Sequence, residues 1–266
     1  MGRSLTALAC ALLALSLAGC GIFKDKYGEK KDWGAADYYK AAKDEFDSGN
    51  WSPAIKLYEE LEAKYPYGRH AQQAQLEVAY ANYKQGESAQ AISALDKFAK
   101  THPNHENLDY ALYLRALVNF KDDLGPLTKL ANQDLADRDP RAARDSFEGF
   151  KEVVTRFPES RYAEDSRERM AYLVGALARH EVKVARYYLE RGAWLAAANR
   201  AQGAITRFPN SPIHEDALEI MVEAYDRMGM QQLRDDARKV LAKNFPAERM
   251  AKEGQNRSKP WYLFWQ

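Results

Sequence analysis

Cysteine is almost absent from this sequence, and that scarcity excludes several classes of protein. Only Cys10 and Cys20 occur among 266 residues, and Cys10 lies in the leader segment described below, so neither a disulfide framework nor a cysteine-ligated zinc site is expected. The sequence also lacks a nucleophile elbow, a phosphate-binding loop and a dinucleotide fingerprint. His180-Glu181 begins like a zinc-protease motif, but position 184 is Val. We therefore predict no enzymatic activity, no metal and no cofactor.

Charge of one sign and long apolar runs are also scarce. The formal net charge is +1, from 39 basic and 38 acidic residues, which argues against a nucleic-acid partner because such proteins present a basic face. The one apolar run, Leu5 to Ala18, is short for a membrane span and is typical of a signal peptide.

The apolar run ends in Leu17-Ala18-Gly19-Cys20, which resembles the bacterial lipobox. We predict that residues 1–19 are removed and that Cys20 carries acyl chains, which bind a membrane durably when two or more are present. The alternative is an ordinary signal peptide with a cysteine nearby. Residues 20–34 show no periodicity and are predicted to form a flexible tether.

A two-residue motif, an aromatic residue or histidine followed by proline, recurs along the chain. It places prolines at 66, 103, 158, 209 and 246. Glycine stands 17 residues before four of them, at 49, 86, 192 and 229, and Arg141 holds that place in the third unit. Glycine tolerates the positive φ that ends a helix, whereas proline ends the next helix. The spacing predicts a unit of helix, glycine turn, helix and proline turn.

Small and aromatic residues fall at helical spacing inside these units, as in Tyr38, Ala42 and Phe46. This pattern resembles the tetratricopeptide repeat, whose helix pairs must stack to bury their apolar faces. We therefore predict an all-α fold, a right-handed superhelical solenoid of five tetratricopeptide-like helix pairs. The predicted units span about 35–68, 69–105, 106–160, 161–211 and 212–246.

Two units are longer than the others. The third contains an insertion, residues 121–139, which Gly125-Pro126 interrupts, so a loop is expected there. The fourth has no helix breaker between Arg161 and Arg191 and is predicted to begin with a long helix. Residues 247–266 are predicted to be a polar linker and an aromatic tail, Pro260-Trp-Tyr-Leu-Phe-Trp-Gln266, whose role the residues leave open between packing on the last helix pair, a partner contact and a membrane contact.

Several stretches together resemble one family. They are the lipobox, the Tyr65-Pro66-Tyr67-Gly68 turn, the Asp137-Arg138-Asp139-Pro140 insertion and the stretch from Tyr187 to Trp194. In combination they are similar to the BamD (ComL-like) family, the lipoprotein subunits of the outer-membrane β-barrel assembly (BAM) machine. The resemblance implies a lipid-anchored scaffold on the periplasmic face of the outer membrane. It also implies binding to the last POTRA domain of BamA, association with other BAM lipoproteins and receipt of unfolded barrel precursors.

Candidate binding residues follow from that resemblance. Precursors in such systems carry a carboxy-terminal signal ending in an aromatic residue, which the amino-terminal repeats would hold in a concave groove. The candidates for that groove are Tyr38, Trp51, Tyr65 and Tyr67. The candidates for the BamA contact are Asp137, Arg138, Asp139, Arg191, Trp194 and Arg200. Each also has an ordinary alternative, as packing between helices or as a solvated helix end.

Two other classes of protein stay open at this stage. A repeat lipoprotein that organises peptidoglycan or cell division would bind cell-wall material rather than BamA. A lipid-anchored enzyme would need a polar cleft with perturbed titratable groups.

Overall fold

The computed structural model describes Tyr27, residues 30–120 and residues 140–245. Cys20, the 121–139 insertion and residues 247–266 lie outside the described residues. Within the described ranges the chain forms ten helices and no strand, so the predicted all-α fold is confirmed. The helices form five consecutive pairs: α1 (Ala35–Asp47) with α2 (Trp51–Lys64), α3 (Arg69–Lys84) with α4 (Ser88–Thr101), α5 (Leu108–Phe120) with α6 (Pro140–Arg156), α7 (Ala163–Glu190) with α8 (Trp194–Arg207), and α9 (His214–Arg227) with α10 (Gln231–Asn244).

The turn inside four of the pairs is built by glycine, as its spacing predicts. Gly49, Gly86, Gly192 and Gly229 have φ between 71° and 81°, a region that favours glycine because it has no Cβ. In the first pair Gly49 N–H donates to the carbonyl of Phe46 and Asn50 N–H to that of Glu45, each at 2.9 Å. This Schellman arrangement recurs at the other three glycines and satisfies the last carbonyls of each first helix.

Each helix packs on the next one along the chain, and the core changes character along the stack. The first three pairs bury large side chains such as Tyr38, Tyr58, Phe98 and Phe150. The last two pairs bury many alanines beside larger residues such as Ile220 and Met221. On α8 every buried residue is alanine: Ala197, Ala198, Ala201 and Ala204. Small residues let helix backbones approach closely, so the alanine side of α8 suits close packing against its neighbours.

Helices α5 and α6 make an especially close contact. A Cβ added to Gly149 would lie 2.9 Å from the Cβ of Ala116. Beside this contact the Ser146 hydroxyl donates to the carbonyl of Ala116 at 3.0 Å. Gly149 is therefore needed for the approach of the two helices rather than for a turn.

The long first helix predicted for the fourth unit is observed as α7, which has 28 residues. At 1.5 Å per residue it is about 42 Å long. Its first part packs on α6 and its last part on α8 and α9. Across the described ranges, none of the helices is long and apolar enough to cross a membrane.

Some residues of the predicted tether contact the first helix pair. The Tyr27 hydroxyl donates to Glu45 Oε1 at 2.6 Å, and Lys30 Nζ lies 2.8 Å from Glu60 Oε2. The ring of Trp33 packs edge-on against that of Tyr38 at 5.1 Å. These contacts cover the outer side of the first pair in the described part of the chain, as the end of a stack requires.

Candidate functional site

A groove of about 380 Å³ opens where the first helices of the first three pairs lie side by side. It is lined by α1, α3, the start of α5 and the turn before α7, through Lys43, Phe46, Gln73, Leu76, Glu77, Tyr80, Asn107, Tyr110, Arg161 and Tyr162. First helices line the inner surface because stacked pairs curve, which leaves one concave face. Residues more than a hundred positions apart are thus brought to one place.

The floor of the groove is organised around Glu77, a carboxylate only 8% exposed. Its Oε1 accepts hydrogen bonds from the Tyr39 hydroxyl at 2.8 Å and Gln73 Nε2 at 3.1 Å. Its Oε2 accepts one from the Tyr58 hydroxyl, and Lys43 Nζ lies 3.8 Å from Oε1. A buried carboxylate is tolerated only when it is satisfied in this way.

The tyrosines around the groove are held in their protonated form. Burial, followed by the hydrogen bond to Glu77, raises the pKa of Tyr39 and of Tyr58 well above the ordinary value. Burial likewise raises the pKa of Tyr110. It raises the pKa of Tyr113, which donates to Asp165 at 2.6 Å, to about 12. These groups act as hydrogen-bond donors and as apolar surfaces, not as acids or bases at neutral pH.

The open part of the groove offers aromatic rings and two cations. The ammonium of Lys43 lies 4.4 Å from the centre of the Phe46 ring, and the guanidinium of Arg161 lies 4.8 Å from that of Tyr162. The exposed guanidinium of Arg161 donates one hydrogen bond to the Tyr162 hydroxyl and has further N–H donors with which to bind an incoming anion. The groove therefore suits an extended ligand that combines an aromatic side chain with a carboxylate.

The four aromatic residues predicted for peptide binding do not form a single pocket. Tyr38 is fully buried and packs against Tyr65, so in this structure a ligand cannot touch it. Trp51 packs edge-on against Phe46 and Tyr80, behind the groove. Tyr65 and Tyr67 are exposed on the turn between α2 and α3, Tyr67 to 91%.

A second charged cluster is centred on α7 and α8 and includes one arginine of α6. Glu181 of α7 is 3% exposed, and its Oε2 lies 2.7 Å from Arg200 Nε and 2.8 Å from Arg207 Nη2. Arg144 Nη2 lies 4.0 Å from its Oε1. Arg200 Nε and Glu181 Oε2 are close enough for an ion pair, but the N–H is not aligned for a hydrogen bond. One carboxylate faces three guanidiniums, which leaves excess positive charge at the surface, where the three arginine side chains are 38% to 58% exposed.

Of the described candidates for the BamA contact, one belongs to this cluster and two lie at the turn between α7 and α8. Arg200 is its central cation. Arg191 caps the end of α7 and places its guanidinium 5.1 Å from the Tyr187 ring. Trp194 begins α8, and Arg227 lies 5.5 Å above its ring. Beside Trp194 an open apolar cleft contains Leu195, 58% exposed. The other three candidates, Asp137, Arg138 and Asp139, lie outside the described residues.

Sequence reasoning missed Glu77 and Glu181, the buried carboxylates at the centre of the two sites, although each left a signal. Glu77 stands among apolar residues of α3, between Leu76 and Val78, and Glu181 precedes Val182 in the same manner on α7. A charge on the apolar face of a helix indicates a buried partner. The partners themselves, Tyr58 and Arg200 among them, come from other helices and carry no such signal. Among the described residues no cluster of His, Cys, Asp and Glu that could hold a metal ion is found.

These features define a class of protein: a helical-repeat scaffold with an aromatic, cation-edged groove in its first half and an arginine cluster in its second. Comparison with known sequences identifies the family. Residues 31–241 match YfiO, described as an outer membrane lipoprotein, and the chain belongs to this family.

Several curated relatives are similar over most of their length. A protein of Neisseria meningitidis serogroup B named outer membrane protein assembly factor BamD is 46% identical over 95% of this chain and 96% of its own. The BamD of Vibrio cholerae is 35% identical over 88% of this chain and 96% of its own. Among solved structures, the MamA protein is 16% identical over 85% of this chain and 97% of its own, with a TM-score of 0.34, a weak overall likeness.

Proposed function

We propose that the chain is an outer-membrane protein assembly factor of the BAM complex, attached to the membrane through a lipid on Cys20. The observation that carries this proposal is the similarity to curated BamD proteins along nearly the whole of both chains. The lipobox-like Leu17-Ala18-Gly19-Cys20 supports the anchor. It follows that the folded stack stands on the periplasmic face of the outer membrane.

We further propose that the groove receives the carboxy-terminal segment of an unfolded barrel precursor. The terminal aromatic side chain would pack among Phe46, Tyr80 and Tyr110, and the terminal carboxylate would pair with Arg161. Charge-assisted pairing of guanidinium and carboxylate gives direction as well as affinity. Tyr65 and Tyr67 are candidates for contacts further along the peptide because both are exposed, whereas Tyr38 and Trp51 would support the groove from behind.

The groove is tested by binding a synthetic peptide that ends in phenylalanine, followed by fluorescence anisotropy. Arg161→Glu is expected to weaken binding at least tenfold, because it replaces attraction for the carboxylate with repulsion, about 1.4 kcal/mol or more. Amidating the peptide's carboxyl group should weaken binding to the parent chain but have little further effect on the variant. Arg167→Glu is the matched control, an exposed arginine of α7 outside the groove. Equal binding by both variants and the parent would exclude the groove as the peptide site.

We propose that the arginine cluster and the neighbouring turn between α7 and α8 bind BamA. Excess positive charge on the same helix as the apolar Trp194 and Leu195 suits an interface with an apolar part and an acidic partner group. Arg200→Glu is not a suitable test of this interface, because it would place a second carboxylate against the buried Glu181 and destabilise the fold. Arg191→Glu changes charge at the same surface without touching that ion pair.

The whole proposal is tested by purifying the tagged chain from membranes in detergent. Recovery of a β-barrel protein with POTRA domains is expected, with reduced recovery for Arg191→Glu and an unchanged circular dichroism spectrum. Recovery of peptidoglycan fragments without such a barrel protein would instead support the cell-wall alternative. A Cys20→Ala chain that stays membrane-attached would exclude the lipid anchor.

A further inference from the structure

The last helix carries an exposed apolar stripe. Met230, just before α10, and Leu233 and Val240 within it are 43%, 47% and 46% exposed. Leu233 and Val240 are two turns apart and share one side of the helix. In the described structure, nothing follows α10 that could pack on this side.

The same positions are polar or small in the other pairs that turn at glycine. One residue after the glycine, where the last pair has Met230, the other pairs have Asn50, Glu87 and Ala193. Four residues after it, in place of Leu233, they have Pro53, Gln90 and Ala196. Eleven residues after it, in place of Val240, they have Glu60, Lys97 and Gly203. The stripe is therefore peculiar to the last pair. Terminal repeats of a solenoid normally present a polar outer surface, so three apolar side chains here indicate something that covers them.

We propose that the aromatic segment Trp261–Trp265 of this chain folds back and packs on the stripe formed by Met230, Leu233 and Val240. The segment has five consecutive apolar or aromatic residues and no charge. Trp and Phe bring large apolar areas to a contact with few rotatable bonds. This packing covers apolar side chains on a side of the helix where the earlier pairs present polar or small residues, and it does not depend on the proposed function.

The length of the connection fits this contact. Fifteen residues separate Phe245 from Trp261, and a flexible chain of that length has a root-mean-square span of about 21 Å. A helix of fourteen residues, such as α10, is also about 21 Å long. A linker whose span matches the distance it must cover gives the highest effective concentration, in the millimolar range. An intramolecular contact is thus favoured over capture by a second copy of the chain.

Disulfide trapping tests the contact directly. The chain from residue 20 onward with Cys20→Ser contains no cysteine, so engineered pairs report without background. Leu233→Cys with Leu263→Cys is expected to give an intramolecular disulfide several-fold faster than the control, Ala196→Cys with Leu263→Cys. Ala196 is the matched position one pair earlier and is also exposed.

Three outcomes would overturn the proposal. One is equal trapping in both pairs. Another is trapping that occurs only between chains and rises with protein concentration, which would indicate a second copy. The third combines two results obtained with vesicles of phosphatidylethanolamine and phosphatidylglycerol. Disulfide trapping falls to the control level, and the chain co-sediments with the vesicles unless residues 260–266 are deleted. Together these results would assign the segment to the membrane surface. Preferential trapping that persists with vesicles and is slowed by Val240→Ser would support it.

Discussion

Replacing Tyr58 with Phe removes one hydroxyl from beneath the groove and is expected to destabilise the first two pairs by about 2 kcal/mol, the cost of a lost hydrogen bond to a charged group. Tyr58 is fully buried, and its hydroxyl is the donor to Glu77 Oε2. The other two hydrogen bonds, from Tyr39 and Gln73, reach Oε1, so they do not replace it. A buried carboxylate oxygen is left without its protein donor.

Urea unfolding followed by both circular dichroism and tryptophan fluorescence measures this cost. Two probes are needed because long repeat arrays can lose cooperativity. Tyr39→Phe is the control: Tyr39 is only half-buried, and Oε1 keeps Gln73 as a donor, so a smaller cost of about 1 kcal/mol is expected. For a domain of this size, 2 kcal/mol corresponds to a Tm lower by about 4–8 °C.

A double-mutant cycle with Glu77→Gln isolates the interaction from the loss of the hydroxyl itself. If Tyr58 acts through Glu77, the two substitutions together should cost less than the sum of their separate costs, by about 1 kcal/mol. Costs that add to within about 0.5 kcal/mol would refute the reasoning. So would a Tyr58→Phe chain as stable as its parent.

Three further predictions concern other parts of the stack. Gly149→Ala should destabilise the chain by about 1–3 kcal/mol in urea unfolding, because the new methyl group meets Ala116 at 2.9 Å; Gly203→Ala, where the nearest atom is 3.6 Å away, should be neutral or slightly stabilising. Glu181→Gln should lower stability by about 1–2 kcal/mol, less in high salt, since three partly exposed arginines lose their shared carboxylate. Burial and the neighbouring His105 lower the pKa of His102. The stability that depends on neutral His102 is therefore present above pH 6.5 and is lost as the pH falls below it. A His102→Asn chain should show a smaller drop in Tm between pH 7 and pH 5 than the parent chain.

The helix pairs were predictable because local chemistry determines them. Glycine at positive φ and proline after the second helix act on their immediate neighbours, and their spacing alone places turns at Gly49, Gly86, Gly192 and Gly229. The length of α7 followed from the lack of a breaker between Arg161 and Arg191. These features need no knowledge of how the pairs stack.

The composition of the groove was not predictable because it depends on that stacking. Arg161 stands more than a hundred positions from Lys43, yet both line the same groove. The predicted aromatic residues were chosen for closeness to the first turn, and closeness in sequence put Tyr38 into the core. Tyr39 follows it by one residue and instead reaches Glu77, 38 positions away. A rotation of about 100° per residue separates a core position from a groove position.

Helix α7 connects the two candidate surfaces and fixes how far apart they are. Arg161 and Tyr162 of the groove immediately precede it, Arg169 on its second turn contacts Asp165 at 2.6 Å, and Glu181 in its second half pairs with the arginines. From residue 162 to residue 181 an α-helix rises about 28 Å. If two shorter helices joined by a turn replaced α7, the distance between the surfaces would depend on the conformation of that turn. One continuous helix holds the distance rigidly. Within the described ranges the other helices of the stack have 13 to 17 residues, whereas α7 has 28. Under the proposed function, this helix would hold a peptide in the groove and a partner at the arginine cluster at a fixed separation.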